Sequence, residues 1–236
     1  MTRPRVASRL AGAGFLPDLR TRATEGELLD AELPATEVRK SLADLRFVNR
    51  WLSGRGGLQR AVTPHLPEHG RLLDVGCASG DVAAYLSARL ARKVFTVGVD
   101  LKPLHLREAP PVVRRVAADA SRLPFHDASF DVVTASLFLH HFDEAELGRL
   151  LGELARVTRH AVVVSDLERA LVPFLFARAV FPFVFETGVS VHDGLVSIRR
   201  GFREPELRAA FVAAGLGGVS IRRLFPYRLL AVAALS

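Results

Sequence analysis

Three aspartates stand where apolar runs give way to small or polar residues, and their positions define a chemistry. Asp74 lies in Leu72-Leu73-Asp74-Val75, just before the turn Gly76-Cys77-Ala78-Ser79-Gly80; Asp100 closes the run from Val94 to Val99; Asp119 follows the run from Val112 to Ala117. A carboxylate after the second run can accept two hydrogen bonds from a ribose diol, and Asp119 can accept from an exocyclic amine. Asp74 can order the N–H groups of the turn or bind an ammonium. Together they suit an adenosine that carries a charged amino-acid tail and no phosphate. The turn lacks the Gly-Lys-Ser/Thr ending of a phosphate loop. A dinucleotide site wants three glycines, and only Gly76 and Gly80 stand here. Small residues still let backbone approach a ligand closely, and the first turn of the next helix offers free N–H groups and a positive dipole end.

Those acids need a scaffold that brings the ends of several strands to one edge. Apolar runs at 72–75, 94–99, 112–117, 130–136 and 161–166 alternate with helical spacing, notably Val82 to Leu90. Asp143 followed by Glu146 predicts a capped helix through about Val157. This alternation predicts an α/β fold, a parallel sheet with helices on both faces, and ligands bind above the carboxyl ends of such strands. After a helix from about Pro205 to Ala214, the runs Val219–Leu224 and Arg228–Leu235 are separated only by Phe225-Pro226-Tyr227. That linker is too short for a parallel crossover, so the two runs are expected to pair antiparallel at a sheet edge. Upstream, residues 1–35 read as a polar, irregular arm. Leu42, Leu45, Val48 and Leu52 then share one helix face, and Gly54, Gly56 and Gly57 end that helix before a second at about 58–66. The expected organisation is an N-terminal arm with lid helices over 1–66 and a binding domain over 67–236, interrupted at about 168–203 by an apolar and then a polar segment.

The chain has 236 residues, 49% of them hydrophobic, and a formal charge of +7. Lys40, Lys93 and Lys102 are the only lysines; the arginines are scattered and lack interleaved aromatics, so no nucleic-acid partner is expected. Cys77 is the single cysteine, which excludes an intramolecular disulfide. The residues after Arg3, Arg5 and Arg9 are too broken by charge and proline for a secretory segment, and Ala170–Phe185 is shorter than the roughly 20 residues that span a bilayer. A cytoplasmic protein without a membrane span is expected, as monomer or homodimer.

Asp74-Val75-Gly76-Cys77-Ala78-Ser79-Gly80, Val97-Gly98-Val99-Asp100, Ala118-Asp119-Ala120 with Leu123-Pro124-Phe125, and Ser129-Phe130-Asp131-Val132-Val133 resemble the successive motifs of class I S-adenosylmethionine-dependent methyltransferases. The branch most similar is the small-molecule one related to quinone-biosynthesis and polyketide-associated methylases. The resemblance covers about residues 70–166 and implies a Rossmann-like seven-stranded, mostly parallel sheet with the last strand antiparallel. It implies S-adenosyl-L-methionine as cofactor and S-adenosyl-L-homocysteine as product. It places Gly76, Cys77, Ala78 and Gly80 by the methionine portion, with Asp74 in the same turn. Asp100 and Leu101 would hold the ribose, Asp119 and Ala120 the adenine, and Ser136 would lie near the sulfonium. Ala78 replaces the middle glycine of the family's turn; a single methyl group is expected to fit there at negative φ. Asp131, at the start of its strand, reads as structural, and Cys77 as a packing residue.

Methyl transfer to oxygen requires loss of a proton, so His140 and His141, after the fourth strand, are candidate general bases, as is His192. Asn49, Trp51, Phe174, Phe181, His141, His192 and Arg199 are the candidate acceptor contacts. No metal is expected, since no cluster of carboxylate or histidine ligands stands at the fifth strand. The acceptor is expected to be a small hydrophobic phenolic, polyketide-like or quinone-like molecule, methylated on oxygen or carbon. An RNA or protein methyltransferase, or a cofactor-binding regulatory protein without catalysis, are the alternatives. The first alternative is disfavoured because Ser136-Leu137-Phe138-Leu139 stands where an amino-methylating Asn/Asp-Pro-Pro-Tyr/Phe would be.

Overall fold

The computed structural model describes residues 17–52, 54–90 and 93–235; the first part of the expected arm, with Arg3, Arg5 and Arg9, lies outside them. Seven strands, β1 (Arg71–Val75), β2 (Phe95–Asp100), β3 (Arg114–Ala117), β4 (Phe130–Ser136), β5 (Thr158–Leu167), β6 (Ser220–Leu224) and β7 (Arg228–Ala234), form one sheet. Their order is β3-β2-β1-β4-β5-β7-β6. The first five are parallel, and β7 runs antiparallel to both β5 and β6. The expected C-terminal pair is present, but β7 lies inside the sheet, with Ser165 opposite Leu230, and β6 is the edge. Strand order reverses between β1 and β4, and an open α/β sheet leaves a crevice at such a switch point.

Alternation along each strand divides the core between the two faces. Leu73, Val75, Val133, Val162 and Leu229 pack on one face with Leu147, Leu150, Leu151 and Leu154 of α5 (Glu144–Arg156) and Phe211 of α8 (Glu204–Ala213). Leu72, Val132, Val163 and Leu230 pack on the other with α2 (Arg55–Val62) and α3 (Asp81–Arg89). The predicted capping box at Asp143 and Glu146 starts α5. Asp131 accepts from the Arg71 N–H at 2.7 Å, joining two strand starts, as its structural reading requires.

The interruption at 168–203 is two helices, α6 (Leu171–Val184) and α7 (Gly188–Arg200). Phe174, Ala177 and Phe181 recur at helical spacing on the buried side of α6 and meet Ile198 of α7. Thr187 caps α7 by accepting from the Ser190 N–H, and Asp44 of α1 (Ala35–Trp51) accepts from the N–H groups of Glu186 and Thr187. Through Asp44, α1 and the α6–α7 pair hold one another over the carboxyl ends of the strands. Among the described residues no helix is long and apolar enough to cross a membrane.

Candidate active site

A cavity of about 720 Å³ lies between the carboxyl ends of β1, β2 and β4 and the helices α1, α6 and α7. Asp74, Gly76, Cys77 and Ala78 of the first turn reach it, as do Asp100 and Leu101, Asp119 and Ala120, and Ser136. Asp100 organises this end. Its Oδ2 accepts from the Ala78 N–H and its Oδ1 from the Lys102 N–H, each at 2.9 Å, and His105 Nδ1 lies 3.3 Å from Oδ1. One carboxylate thus ties the turn after β1 to the end of β2. Asp119 accepts from the Ser121 N–H at 2.8 Å. Asp74 accepts from the Thr134 hydroxyl at 2.8 Å; burial pushes its carboxyl up to about 7, and nearby Asp81 adds to the rise. Burial, with Asp74 and Asp100 nearby, also pushes the Cys77 thiol up, which suits a packing residue.

Gly76 has φ +67°, and a Cβ there would come within 2.1 Å of the Phe138 ring. Ala78 departs from expectation: its φ is +47°, in the left-handed region. A side chain there costs about 1–2 kcal/mol, part of which a glycine returns through its larger unfolded-state entropy. Ala78→Gly is therefore expected to stabilise the protein by up to about 1 kcal/mol, read as a higher urea midpoint; an unchanged or lower midpoint would refute strain at this position. Leu137 and Tyr227, also at positive φ, line the same cavity, and such residues gather at functional sites. Gly80 does not reach the cavity. It caps α3 at φ +65°, and a Cβ there would stand 3.0 Å from Ala109.

After Ser136 the chain turns into a short 3-10 segment, Leu139–His141, built on Asp166 at the end of β5. Asp166 accepts from the N–H groups of Phe138 and His140 at 3.2 and 3.3 Å and from Leu167 N–H at 2.7 Å, and pairs with His140 Nδ1 at 2.7 Å. The other nitrogen of His140, Nε2, lies 3.2 Å from Glu27 Oε1. Burial alone lowers the His140 pKa, but Asp166 and Glu27 outweigh it and raise the imidazolium to about 9. A carboxylate thus faces each nitrogen of His140, and in the ion-free protein the pair favours its protonated form. His141 is more exposed, with Nδ1 2.9 Å from Asp30 and Nε2 3.7 Å from Glu27.

Glu27 and Asp30 arrive on the described part of the arm, which crosses the cavity as an irregular strap. Arg22 donates to the carbonyls of His140, Phe142 and Arg200; Arg200 donates to those of Glu25, His140 and His141. Asp193 of α7 accepts from the N–H groups of Leu28 and Leu29, and Lys102 donates to the carbonyls of Leu29 and Ala31. Glu27 also accepts a short hydrogen bond from Ser197.

The acceptor candidates divide. Asn49, Trp51, His141 and Phe181 line the cavity, although the Asn49 amide donates to Asp81. His192, Arg199 and Phe174 do not. His192 and Arg199 sit in α7, not in a turn, and both pair with Glu25 of the strap. Phe174 is consumed by the α6–α7 contact, and Phe176 and Phe185 face the cavity with Phe181. Asp166 follows the same rule as the other strand-end acids and was legible by it. Glu27 carried no signal.

Comparison with known proteins agrees with this arrangement. Residues 73–164 match the family described as a methyltransferase domain. The chain is 33% identical over 170 residues to the demethylmenaquinone methyltransferase of Thermus thermophilus, covering 64% of this chain and 75% of that one. It is 34% identical over 125 residues to the enzyme of that name from Roseiflexus sp., an alignment spanning 51% of each chain. It is 36% identical over 98 residues to the 27-O-demethylrifamycin SV methyltransferase of Amycolatopsis mediterranei, covering 38% of this chain and 35% of that one. The fold matches a SAM-dependent methyltransferase from Aquifex aeolicus at a TM-score of 0.61 and 17% identity, over 87% of this chain and 100% of that one. With the acids of three strand ends gathered on one cavity and a relative matched over three quarters of its length, the chain belongs to the class I S-adenosylmethionine-dependent methyltransferases, in the branch that includes the quinone-biosynthesis methylases.

Proposed function

We propose that the chain methylates a small hydrophobic acceptor of the quinone or polyketide type. One observation carries this: a single cavity joins a polar end, with Asp74, Asp100 and Asp119, to an apolar end walled by Val172, Phe176, Phe181 and Phe185. The names of the Thermus and Amycolatopsis relatives, which specify a demethylated menaquinone and a demethylated rifamycin, support that acceptor class.

The polar end fits S-adenosylmethionine. Each Asp100 oxygen accepts from backbone and keeps a second lone pair for a ribose hydroxyl. In this reading Asp119 accepts from the adenine amine, Asp74 receives the α-ammonium and Ser136 stands near the sulfonium, all three being residues that line the cavity. The cofactor supplies an electrophilic methyl group on a sulfonium; this chain's residues orient it and exclude water, and positioning alone lowers such a barrier substantially. The aromatic wall holds an acceptor ring in apolar contact.

Asp74 gives this placement a pH signature. In the free protein it keeps its proton up to about pH 7, whereas an ammonium favours the carboxylate. Binding then expels a proton at lower pH, so affinity for S-adenosylhomocysteine is expected to climb from pH 5.5 towards 7 by up to about tenfold per unit and to level off above it. Calorimetry in two buffers would detect the released proton, and Asp74→Asn should flatten the profile. A profile that falls with pH would refute the assignment.

The experiment for the whole reading has two stages. Calorimetry is expected to show S-adenosylhomocysteine binding at micromolar Kd, and mass detection a methylated product among phenols, quinones and long-chain resorcinols. Turnover on RNA with none on small molecules would overturn it.

A further inference from the structure

We propose that Glu27, His140 and His141 form a divalent transition-metal site that opens on the acceptor end of the cavity. The ligand atoms of the three residues lie within 4.8 Å of one another. Glu27 Oε1 is 3.2 Å from His140 Nε2, and Glu27 Oε2 is 3.7 Å from His141 Nε2. An ion held at about 2.1 Å from each donor in tetrahedral geometry sets ligand separations near 3.4 Å; the two Glu27–imidazole pairs, each through a different carboxylate oxygen, stand close to that spacing, and a cluster that spans up to 4.8 Å contracts around the ion.

The surroundings of the two imidazoles are more telling than the spacing. Metal-binding histidines characteristically present one ring nitrogen to the ion while the other is held by a carboxylate, which fixes the tautomer and the ring plane. Both histidines have that partner. Asp166 holds Nδ1 of His140 at 2.7 Å and Asp30 holds Nδ1 of His141 at 2.9 Å, leaving the two Nε2 atoms turned towards Glu27. Glu27 is oriented in turn by the Ser197 hydroxyl. Asp166 and Asp30 come from opposite ends of the sequence, so this arrangement is not a by-product of one helix.

Three carboxylates, Glu27, Asp30 and Asp166, surround the pair of imidazoles. Arg22 and Arg200 are directed at backbone carbonyls of the same turn and not at these acids. Lys102 faces Asp30 and Arg228 faces Asp166, and an ion bound at Nε2 takes the place of the His140 proton beside Glu27. Two imidazoles and one carboxylate suit Zn²⁺, Co²⁺, Fe²⁺ or Mn²⁺ better than the all-oxygen preferences of Ca²⁺ or Mg²⁺.

Three protein ligands leave an open position, as in catalytic sites, and Glu27, His140 and His141 all line the cavity. A hydroxyl of the acceptor can occupy that position, lose its proton to solvent at neutral pH and stay fixed as the oxyanion. This use of the site rests on the methyl-transfer reading and selects oxygen as the methylated atom; the existence of the site does not depend on that reading.

The test uses the whole protein stripped with a chelator. Calorimetry with Zn²⁺ and visible spectroscopy with Co²⁺ are expected to show one ion per chain at micromolar Kd or tighter, with the d–d bands of a four- or five-coordinate nitrogen–oxygen site. Glu27→Gln and His141→Ala should each weaken binding more than tenfold, and Asp30→Asn by about tenfold through the orientation of His141 alone. S-Adenosylhomocysteine binding, measured on the same samples, reports that each variant is folded. Ion binding weaker than about 1 mM, or binding that the Glu27 and His141 substitutions leave unchanged, would overturn the proposal. Loss of S-adenosylhomocysteine binding by the unsubstituted protein would instead count against the methyltransferase reading.

Discussion

Asp166→Ala is expected to lower the free energy of unfolding by about 3–5 kcal/mol, the largest effect of any single substitution considered. The Asp166 side chain is fully buried and serves the N–H groups of Phe138, His140 and Leu167 together with the His140 ring. Removing it strands three backbone donors and takes a carboxylate partner from two cations. One is His140, which keeps only Glu27. The other is Arg228, 2% exposed, whose pKa burial lowers to about 10 against the attraction of Asp166. Asp166→Asn keeps the volume but offers one acceptor atom where two are used, so an intermediate loss is expected. Urea unfolding measures both, and for a domain of this size the alanine variant corresponds to a fall in Tm on the order of 10 °C. A loss below about 1 kcal/mol would mean that the turn at 138–141 is not built on this carboxylate.

Asp100→Ala is expected to weaken S-adenosylhomocysteine binding at least tenfold with a smaller cost to stability. Two consequences combine. The ribose hydroxyls lose their charged acceptor, and hydrogen bonds to charged groups contribute about 1.5–3 kcal/mol each. The turn after β1 also loses its tether, because the Ala78 N–H has its partner in Asp100 Oδ2. Asp100→Asn separates the two effects only in part, since an amide has a single acceptor atom for the N–H groups of Ala78 and Lys102, which use both carboxylate oxygens. Affinity within twofold of the unsubstituted protein, on samples shown to be folded by circular dichroism, would refute the role given to Asp100.

The strand ends were legible because two local signals coincide there. An apolar run with period two or full burial marks a strand, and a carboxylate at its end has no place in a core unless it binds something. Asp74, Asp100 and Asp119 satisfy both conditions, and the cavity gathers all three. Gly80 satisfied the motif without lining the cavity; it holds the left-handed N-cap of α3, with Ala109 close by. The helices α6 and α7 were not legible, since the sequence showed only an apolar and then a polar segment; they contain Pro182 and Gly194, and a Cβ at Gly194 would meet the Phe181 ring, so the two helices pack closely there.

What the sequence determined by itself is the alternation of strands and helices and the acids at the strand ends, products of hydrophobic periodicity acting over short distances; the strand order and its switch point came with the tertiary structure. The tertiary structure alone decided what faces those acids. Glu27 meets His140 across 113 residues of chain, brought there by Arg22 of the irregular strap donating to the His140 carbonyl and by Arg200, Lys102 and Asp193 binding the strap's backbone. Side-chain bonds to backbone amides and carbonyls leave no periodicity, because any residue supplies those groups. Tertiary structure also gave the two adjacent histidines different surroundings: His140 is buried between Asp166 and Glu27, while His141 stays at the cavity surface between Asp30 and Glu27. Neighbours in sequence are held differently here because, besides the shared Glu27, one is bound by Asp166 at the end of β5 and the other by Asp30 of the strap.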